Sequence, residues 1–367
     1  MEICPQFVLP SELLIEILSW LPVKSLIRFK CVCKSWKSLI SNDKPFVKLQ
    51  LDRRSPKNNH VLLTSRQPRS SDCCFIPCLV TRLLEDPSFI IKQDRFLPFE
   101  DIEFEKVIGS SNGLVCLQVG GYGRRLCFCL WNPATRLTFH MSPPLTLTLD
   151  GKFGALNYGF GYDVSCNTYK VVVVLSLYHP NDRVSEKVTV VHCTGDSCWR
   201  ETLSVPDVPF EFYHICGASL GDCVNWLANK FQQLLIVSLD MRDEKYRLLS
   251  LPEGTSDVSH AEIQVSGNCL YLFYDHKRTH FIVWKMREFG VQESWTRLVN
   301  ISYKHLQYDL LHQWLICLSG DGDIFTLEKN GKLVIIYNLS DNSVKYVEFP
   351  NKSWLGANDY VESLISP

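Results

Sequence analysis

Several stretches of the sequence bring together side chains that could do chemistry. His192-Cys193 with Cys198 offers three metal-binding side chains close together, and Cys127 with Cys129 offers two more. Structural zinc needs four convergent ligands, usually from two close pairs, whereas Cys-x-Cys on a strand merely puts two thiols on one sheet face. Packing therefore explains these cysteines better than metal does. Cys73-Cys74 lacks the Cys-x-x-Cys spacing of a redox pair. Asp321-Gly322-Asp323 could open a calcium loop, but the acidic ligand series of an EF-hand is missing and a hairpin turn accounts for it fully. Gly120 to Arg125, "GGYGRR", sits between strands without the strand-to-helix context of a dinucleotide site or a Walker lysine. It reads as a surface turn from which Arg124 and Arg125 could touch a target.

Nucleophilic chemistry is no better supported. Gly109 to Gly113 and Gly217 to Gly221 have the Gly-x-Ser-x-Gly spacing, but each leads into a strand rather than the helix a nucleophile elbow needs; His-Glu-x-x-His does not occur, and the scattered Ser, His and Asp residues cannot be assembled into a triad by position. An active site built from distant loops stays open as a competing reading. No cofactor and no metal are expected. Trp131, Trp199, Trp226, Trp284 and Trp295 all lie in strand-like patterns, where burial in a core is the simpler role for them.

The elements that carry these residues are mostly strands. From about residue 60 a unit recurs: an apolar strand, a polar turn, and a second strand that opens on an aromatic or basic residue. It appears in "FCLWNPATRLTF", "TVVHCTGDSCWRETL", "LLIVSLDMRDEKYRLLSLP", "FIVWKMREFGVQESWTRL" and "LVIIYNLSDNSVKYVEFP". Asn132-Pro133-Ala134-Thr135 and Ser340-Asp341-Asn342-Ser343 supply turn residues for the first and last of these hairpins. Gly-containing turns in "SSNGLVCL", "CGASLGDCVNWLA", "SGNCLYLFY" and "LSGDGDIFTLE" each feed a strand. The pairs recur at about 45 to 60 residues, near the period of four-stranded propeller blades, and the region would hold roughly six.

At 367 residues the chain is long enough for a small domain beside a large one. Its 46% apolar and 21% charged residues argue against long disorder. A net charge of −1 steers it toward neither nucleic acid nor an acidic membrane. Sixteen cysteines scattered through strand-like segments suit reduced thiols of the cytoplasm or nucleus rather than a disulfide scaffold. The start lacks a basic region, and Glu2, Glu12 and Glu16 break its apolar residues, so no secretory signal is expected. The apolar run Val171 to Tyr178 is far below the roughly 20 residues that span a bilayer as a helix.

Ahead of the strands stands a helical preface. Pro10 suits a first turn, Glu12 suits the positive end of a helix dipole, and Leu9, Leu13, Leu14, Ile17, Leu18 and Leu21 make an amphipathic face. Leu21-Pro22 ends that helix. A second helix is expected from Val23 to Cys31 and a third from Val32 to Ile40, carrying Trp36. About 40 residues rarely bury enough surface to be stable alone. Pattern alone leaves two owners for the surplus apolar surface: the chain's own β region, capped by the helices, or another protein.

The stretch "LPSELLIEILSWLPVKSLIRFKCVCKSWKSLIS" resembles an F-box, the module that attaches substrate receptors to the Skp-type adaptor of cullin-RING ubiquitin ligases. The resemblance implies that Leu9, Pro10, Leu13, Ile17, Leu18, Leu21, Pro22, Val23, Leu26, Val32, Cys33 and Trp36 make or support the adaptor interface. Lys24, Arg28, Lys30, Lys34 and Lys37 read as a solvated face. The β segments "SSNGLVCL", "LWNPATR", "YGFGYD", "YKVVVV", "SWTRL" and "YVESLISP" resemble the plant F-box associated interaction domain. Taken together, the expectation is an α+β chain: a three-helix F-box over 5–50, a connector over 51–60, and an all-β, propeller-like domain of about six blades over 61–367. The implied protein is a non-catalytic receptor subunit of a Skp-cullin-F-box (SCF) ubiquitin ligase, resident in cytoplasm or nucleus. Its implied partners are the adaptor, through it cullin and RING subunits, and an unknown protein target, with no nucleic acid and no membrane.

Overall fold

The computed structural model describes residues 9–54, 60–66, 73–85, 104–119, 125–146, 153–178, 185–202, 211–255, 258–305, 313–318, 324–329, 333–348 and 353–366. Helices α1 (Ser11–Ser19), α2 (Val23–Phe29) and α3 (Lys34–Asn42) form where expected, each within a few residues of its expected ends. A fourth helix, α4 (Lys44–Arg54), follows them, so Leu51 to Arg54 are helical rather than connector. Its start is explained by Asp43, whose carboxylate accepts the Phe46 N–H at 2.8 Å, and by Pro45 in the first turn. Leu18, Val23, Leu26, Ile40 and Phe46 close the small helical core.

The rest is antiparallel sheet. β1 (His60–Arg66) and β2 (Cys73–Leu79) pair and lead into the short helix α5 (Val80–Glu85). Next comes the sheet β3 (Phe104–Ser111), β4 (Leu114–Val119), β5 (Arg125–Asn132) and β6 (Leu137–Met141), with β7 (Leu145–Thr146) beside β5. A third sheet holds β8 (Phe153–Asp163), β9 (Thr168–Tyr178), β10 (Ser185–Cys193) and β11 (Arg200–Glu201). A fourth holds β12 (Glu211–Phe212), β13 (Ala218–Leu220), β14 (Cys223–Lys230), β15 (Gln233–Asp240) and β16 (Tyr246–Leu249). The fifth is β17 (Val258–Ser266), β18 (Cys269–His276), β19 (His280–Met286) and β20 (Trp295–Ser302); the sixth is β21 (Gln313–Leu318), β22 (Ile324–Lys329), β23 (Leu333–Asn338) and β24 (Val344–Glu348). Finally β25 (Ser353–Tyr360) returns to β1, pairing His60 with Tyr360.

The described residues thus form five sheets of four or more strands and a three-stranded sheet built from both ends of the β region. The inner strands β25, β3, β8, β13, β17 and β21 touch in that order, and β21 touches β25 again, which closes the ring of a propeller. All five hairpins expected from the sequence are present. Between sheets the packing is aromatic and tight. Trp226 is fully buried, donates its indole N–H to the Tyr158 carbonyl at 2.9 Å, and lies so near Gly159 that a Cβ there would stand 2.8 Å from the ring. That contact explains the first glycine of "YGFGYD".

A buried ion network fixes the third sheet to the fourth. The Lys170 ammonium meets Asp163 at 2.8 Å and Glu244 at 2.9 Å, and Arg200 donates to Glu244 at 2.7 Å. Burial alone would raise the Asp163 pKa, but hydrogen bonds from Lys170, Ser165 and the Cys166 N–H outweigh it and bring the carboxyl down to about 2.

Candidate docking face and propeller channel

The helical module divides the twelve residues named above by exposure. Leu18, Val23 and Leu26 are buried in its core, while Leu21 and Trp36 are half-buried, with Trp36 edge-on to Phe29 at 5.4 Å. The others face outward: Leu9, Leu13, Ile17 and Val32 are 54%, 51%, 51% and 61% exposed, and Pro10, Pro22 and Cys33 are exposed as well. Leu13 and Ile17 stand four residues apart and so share one side of α1, and Leu9 lies just ahead of the helix, before its N-cap Pro10. Trp20 is exposed too and extends the row. Sequence reading missed it, although Leu13, Ile17 and Trp20 stand at i, i+4 and i+7.

That row is held rigidly from behind. Arg53 of α4 reaches Glu16 of α1 with N to O at 2.5 Å, accepts the Trp20 ring beneath its guanidinium at 4.8 Å, and donates to the Glu16 carbonyl at 3.1 Å. Hydrogen bonds from Arg53 and from the Trp20 indole hold the Glu16 carboxyl below its ordinary pKa. At the start of α3, the Ser35 hydroxyl and the Trp36 N–H lower the Cys33 thiol pKa.

The module sits on the propeller through three of the segments singled out in the sequence. In "SSNGLVCL", Gly113 turns at φ +83, and a Cβ there would stand 2.6 Å from the Val361 carbonyl oxygen. In "LWNPATR", the Asn132 amide donates to the carbonyls of Ser363 at 3.1 Å and Ile365 at 2.7 Å, while its oxygen accepts the Ala134 N–H at 2.9 Å. The third segment, "YVESLISP", supplies that tail, and Leu364 enters the helical core beside Ala134. Leu51 of α4 shares a hollow with the turns at Gly113, Gly221 and Gly267 and with Asp359 to Val361. The helices therefore stand over one mouth of the ring.

At the centre of the ring lies a channel of about 600 Å³, walled by β3, β13 and the segment before it, β17 and β25. Lys106, His214, Glu262, Gln264, Asn358 and Asp359 line it among small and apolar residues. Burial raises the pKa of Glu262, with His214 pulling the other way, and pushes Asp359 up to about 7.

Profiles of two families match the chain: the F-box domain over residues 7–48 and the F-box associated beta propeller domain over residues 72–366. The chain is an F-box protein of the F-box associated β-propeller family. Similar chains include F-box proteins of Arabidopsis thaliana. An F-box/kelch-repeat protein of that plant is 30% identical over 98% of this chain and 96% of its own length. The F-box protein CPR1 is 24% identical over 92% and 83%. Among solved structures, oligogalacturonate lyase in complex with manganese overlaps 78% of this chain and 73% of its own at 12% identity and a TM-score of 0.44, which carries no argument about function.

Within this F-box protein the chemistry candidates fall on structural positions. Cys129 is buried and Cys127 half-buried in one cluster around Trp131, which is the single-face arrangement that Cys-x-Cys predicts. His192 is buried against Trp199, Cys193 is half-buried and Cys198 is exposed. Among the described residues, no group of three His, Cys, Asp or Glu side chains converges as a metal site would require. Asp321 to Asp323 and Gly120 to Arg124 lie outside the described residues, as do the side chains of Cys73 and Cys74. Trp131, Trp226 and Trp295 are buried and Trp199 and Trp284 partly so, as blade core requires. Among the described residues no helix is long and apolar enough to cross a membrane.

Proposed function

We propose that the protein is the substrate-recognition subunit of an SCF ubiquitin ligase. An F-box is in general a module for a Skp-type adaptor, and an F-box mounted on a propeller fits a receptor that holds a target. The observation that carries the reading is the outward set Leu9, Leu13, Ile17 and Trp20, about half exposed on a module whose core is already closed by Leu18, Val23, Leu26, Ile40 and Phe46. Such a row is costly to leave in water and suits a hydrophobic groove on another chain. In this reading the adaptor takes that row together with Pro10, Pro22, Val32 and Cys33, while Leu18, Leu21, Val23, Leu26 and Trp36 shape it from beneath. Cullin and RING subunits join through the adaptor, in cytoplasm or nucleus. The chain itself catalyses nothing: it raises the effective concentration of target lysines near the charged conjugating enzyme.

A helical cap over a propeller enzyme would account for the contact of Leu364 and Ala134 with the helices. It leaves the row on α1 unexplained. The test is co-purification of the full chain with a Skp-type adaptor. Leu13→Asp with Ile17→Asp would bury unpaired carboxylates at the interface and should weaken binding by about 100-fold or more, with the propeller's melting unchanged. Undiminished adaptor binding by that variant would sink the proposal. Reconstituted ubiquitination of a bound target then separates a ligase receptor from a sequestering partner.

A further inference from the structure

The F-box match ends at residue 48, yet a residue beyond it governs the last turn of α1. That turn carries Ile17, runs into Trp20 as its cap, and holds no basic residue of its own to face the negative end of the helix. The Trp20 N–H bonds the Ile17 carbonyl at 3.3 Å, a tightened final turn, so the Glu16 carbonyl takes the Ser19 hydroxyl at 2.7 Å and Arg53 at 3.1 Å instead. Arg53, near the end of α4, thus supplies the missing cation. Its guanidinium donates also to the Ser19 hydroxyl and to one Glu16 carboxylate oxygen at 2.5 Å, with the Trp20 ring centre 4.8 Å away. The Trp20 indole N–H closes the set by donating to the other carboxylate oxygen at 3.3 Å. One planar cation is therefore helix cap, ion-pair partner and stacking surface together, which a single ammonium cannot match.

Glu16 needs such a partner more than a solvated acid would. Leu13 stands three residues before it and Trp20 four after, so its carboxylate lies beside the outward row, with the side chain 53% exposed. Anything that covers the row takes Glu16 out of water with it. A carboxylate covered without a cation costs far more than one already paired. The Arg53 side chain is only 19% exposed and so serves Glu16 from behind the face.

From these convergent contacts we infer that Arg53 is a positioning residue of the adaptor-docking face: it neutralises Glu16 and sets the Trp20 ring in advance, so that Ile17, Trp20 and Glu16 meet the adaptor as one preformed patch without net charge. Ordering those side chains beforehand removes a cost from binding. The inference rests on the receptor reading and adds α4 to the docking module, although α4 runs past the F-box match. It also joins docking to the propeller, because Leu51, one turn-half before Arg53, shares the hollow with the turns of the ring.

The test is the affinity of the full chain for a Skp-type adaptor, measured by titration calorimetry on the wild type, Arg53→Met, Glu16→Gln and the variant with both changes. Arg53→Met keeps the apolar stem but strips Glu16 of its cation and should weaken binding about 10-fold. Adding Glu16→Gln removes the stranded carboxylate and should return most of that loss. A residue that only braced α1 against α4 would give no such rescue, since both changes delete the same brace. Arg53→Lys restores a cation without the planar fork and should bind within about 3-fold of the wild type. Arg53→Gln still offers donors to α1 while removing the charge, and takes the place of Arg53→Met in the same cycle if that variant loses helical circular dichroism. Undiminished binding by the uncharged variant, no recovery on adding Glu16→Gln, or Arg53→Lys no better than the uncharged variant would each overturn the inference and leave the receptor reading standing. Failure of the wild type to bind any such adaptor would overturn both.

Discussion

Gly113 shows how much can depend on one residue. Its φ of +83° excludes most side chains, and the space a Cβ needs is already filled by the Val361 carbonyl and the Ser363 side chain. Gly113→Ala should therefore cost roughly 2 kcal/mol or more, by strain and collision together. Gly254 has φ of +82° with nothing near its missing Cβ, so Gly254→Ala reports the backbone strain alone. Urea unfolding of both variants should place Gly113→Ala clearly below Gly254→Ala; equal midpoints would mean that the tail does not press on this turn. The same scale shows where sequence reading stops. Periodicity marked Leu13, Ile17 and Leu18 alike as apolar, yet a short helix with apolar residues on two sides does not say which side its own module buries. Leu18 faces the core and Leu13 faces outward. Leu18→Asp should accordingly unfold the helical module, seen as lost helical circular dichroism, whereas Leu13→Asp should leave that signal intact.

At the scale of elements, hairpins were legible because their information is local. Asn132 accepts two N–H groups of its own turn, and Asp341 accepts the Ser343 N–H at 2.9 Å, so the residues that suggested turns are those that build them. The bond between neighbouring sheets was not legible. Asp163 and Lys170 flank one turn, but Glu244 comes from the following sheet, and no spacing rule connects them. Lys170→Met would leave Asp163 buried without its cation, while Glu244 keeps Arg200, and should cost about 3–5 kcal/mol in denaturant unfolding. The network also predicts an acid response. Asp163 has a folded pKa near 2, below its ordinary value of 3.8, so its contribution is fully present above about pH 4 and is lost as pH falls toward 2. Wild-type stability should fall across that window, and the Lys170→Met protein should show a shallower fall; parallel slopes would show that the pair does not govern the acid limb. α4 was missed for a different reason. Its polar composition gave little apolar pattern, although Asp43 and Pro45 marked its start.

Across the whole molecule, the C-terminal tail ties the helices to the ring, beside the contacts of Ala134 and Leu51. Asn132 grips its backbone and Leu364 anchors it in the helical core. Removing residues 361–367 should leave a closed propeller but free the helical module, visible as rapid proteolytic separation of the two with little change in near-UV circular dichroism. Removing residues 353–367 also deletes the strand that pairs with β1, and that protein should fail to fold cooperatively. The blade architecture could be read from recurring units, because each sheet is encoded by consecutive residues. Placement of the helices over one mouth could not, because it depends on contacts between opposite ends of the chain.

The pairing of β1 with β25 also sets an order in time. Partners so distant in sequence carry a high loop-closure cost and meet late, whereas the short helices can form as soon as they leave the ribosome. For the interval in between, the chain has helices whose core still lacks Leu364 and an open ring with exposed strand edges. An adaptor that recognised the helices alone could engage the nascent chain before anything has been fixed behind it. Only after the last strand is in place do the helices acquire a set direction relative to the channel, so the geometry needed to present a cargo arrives last.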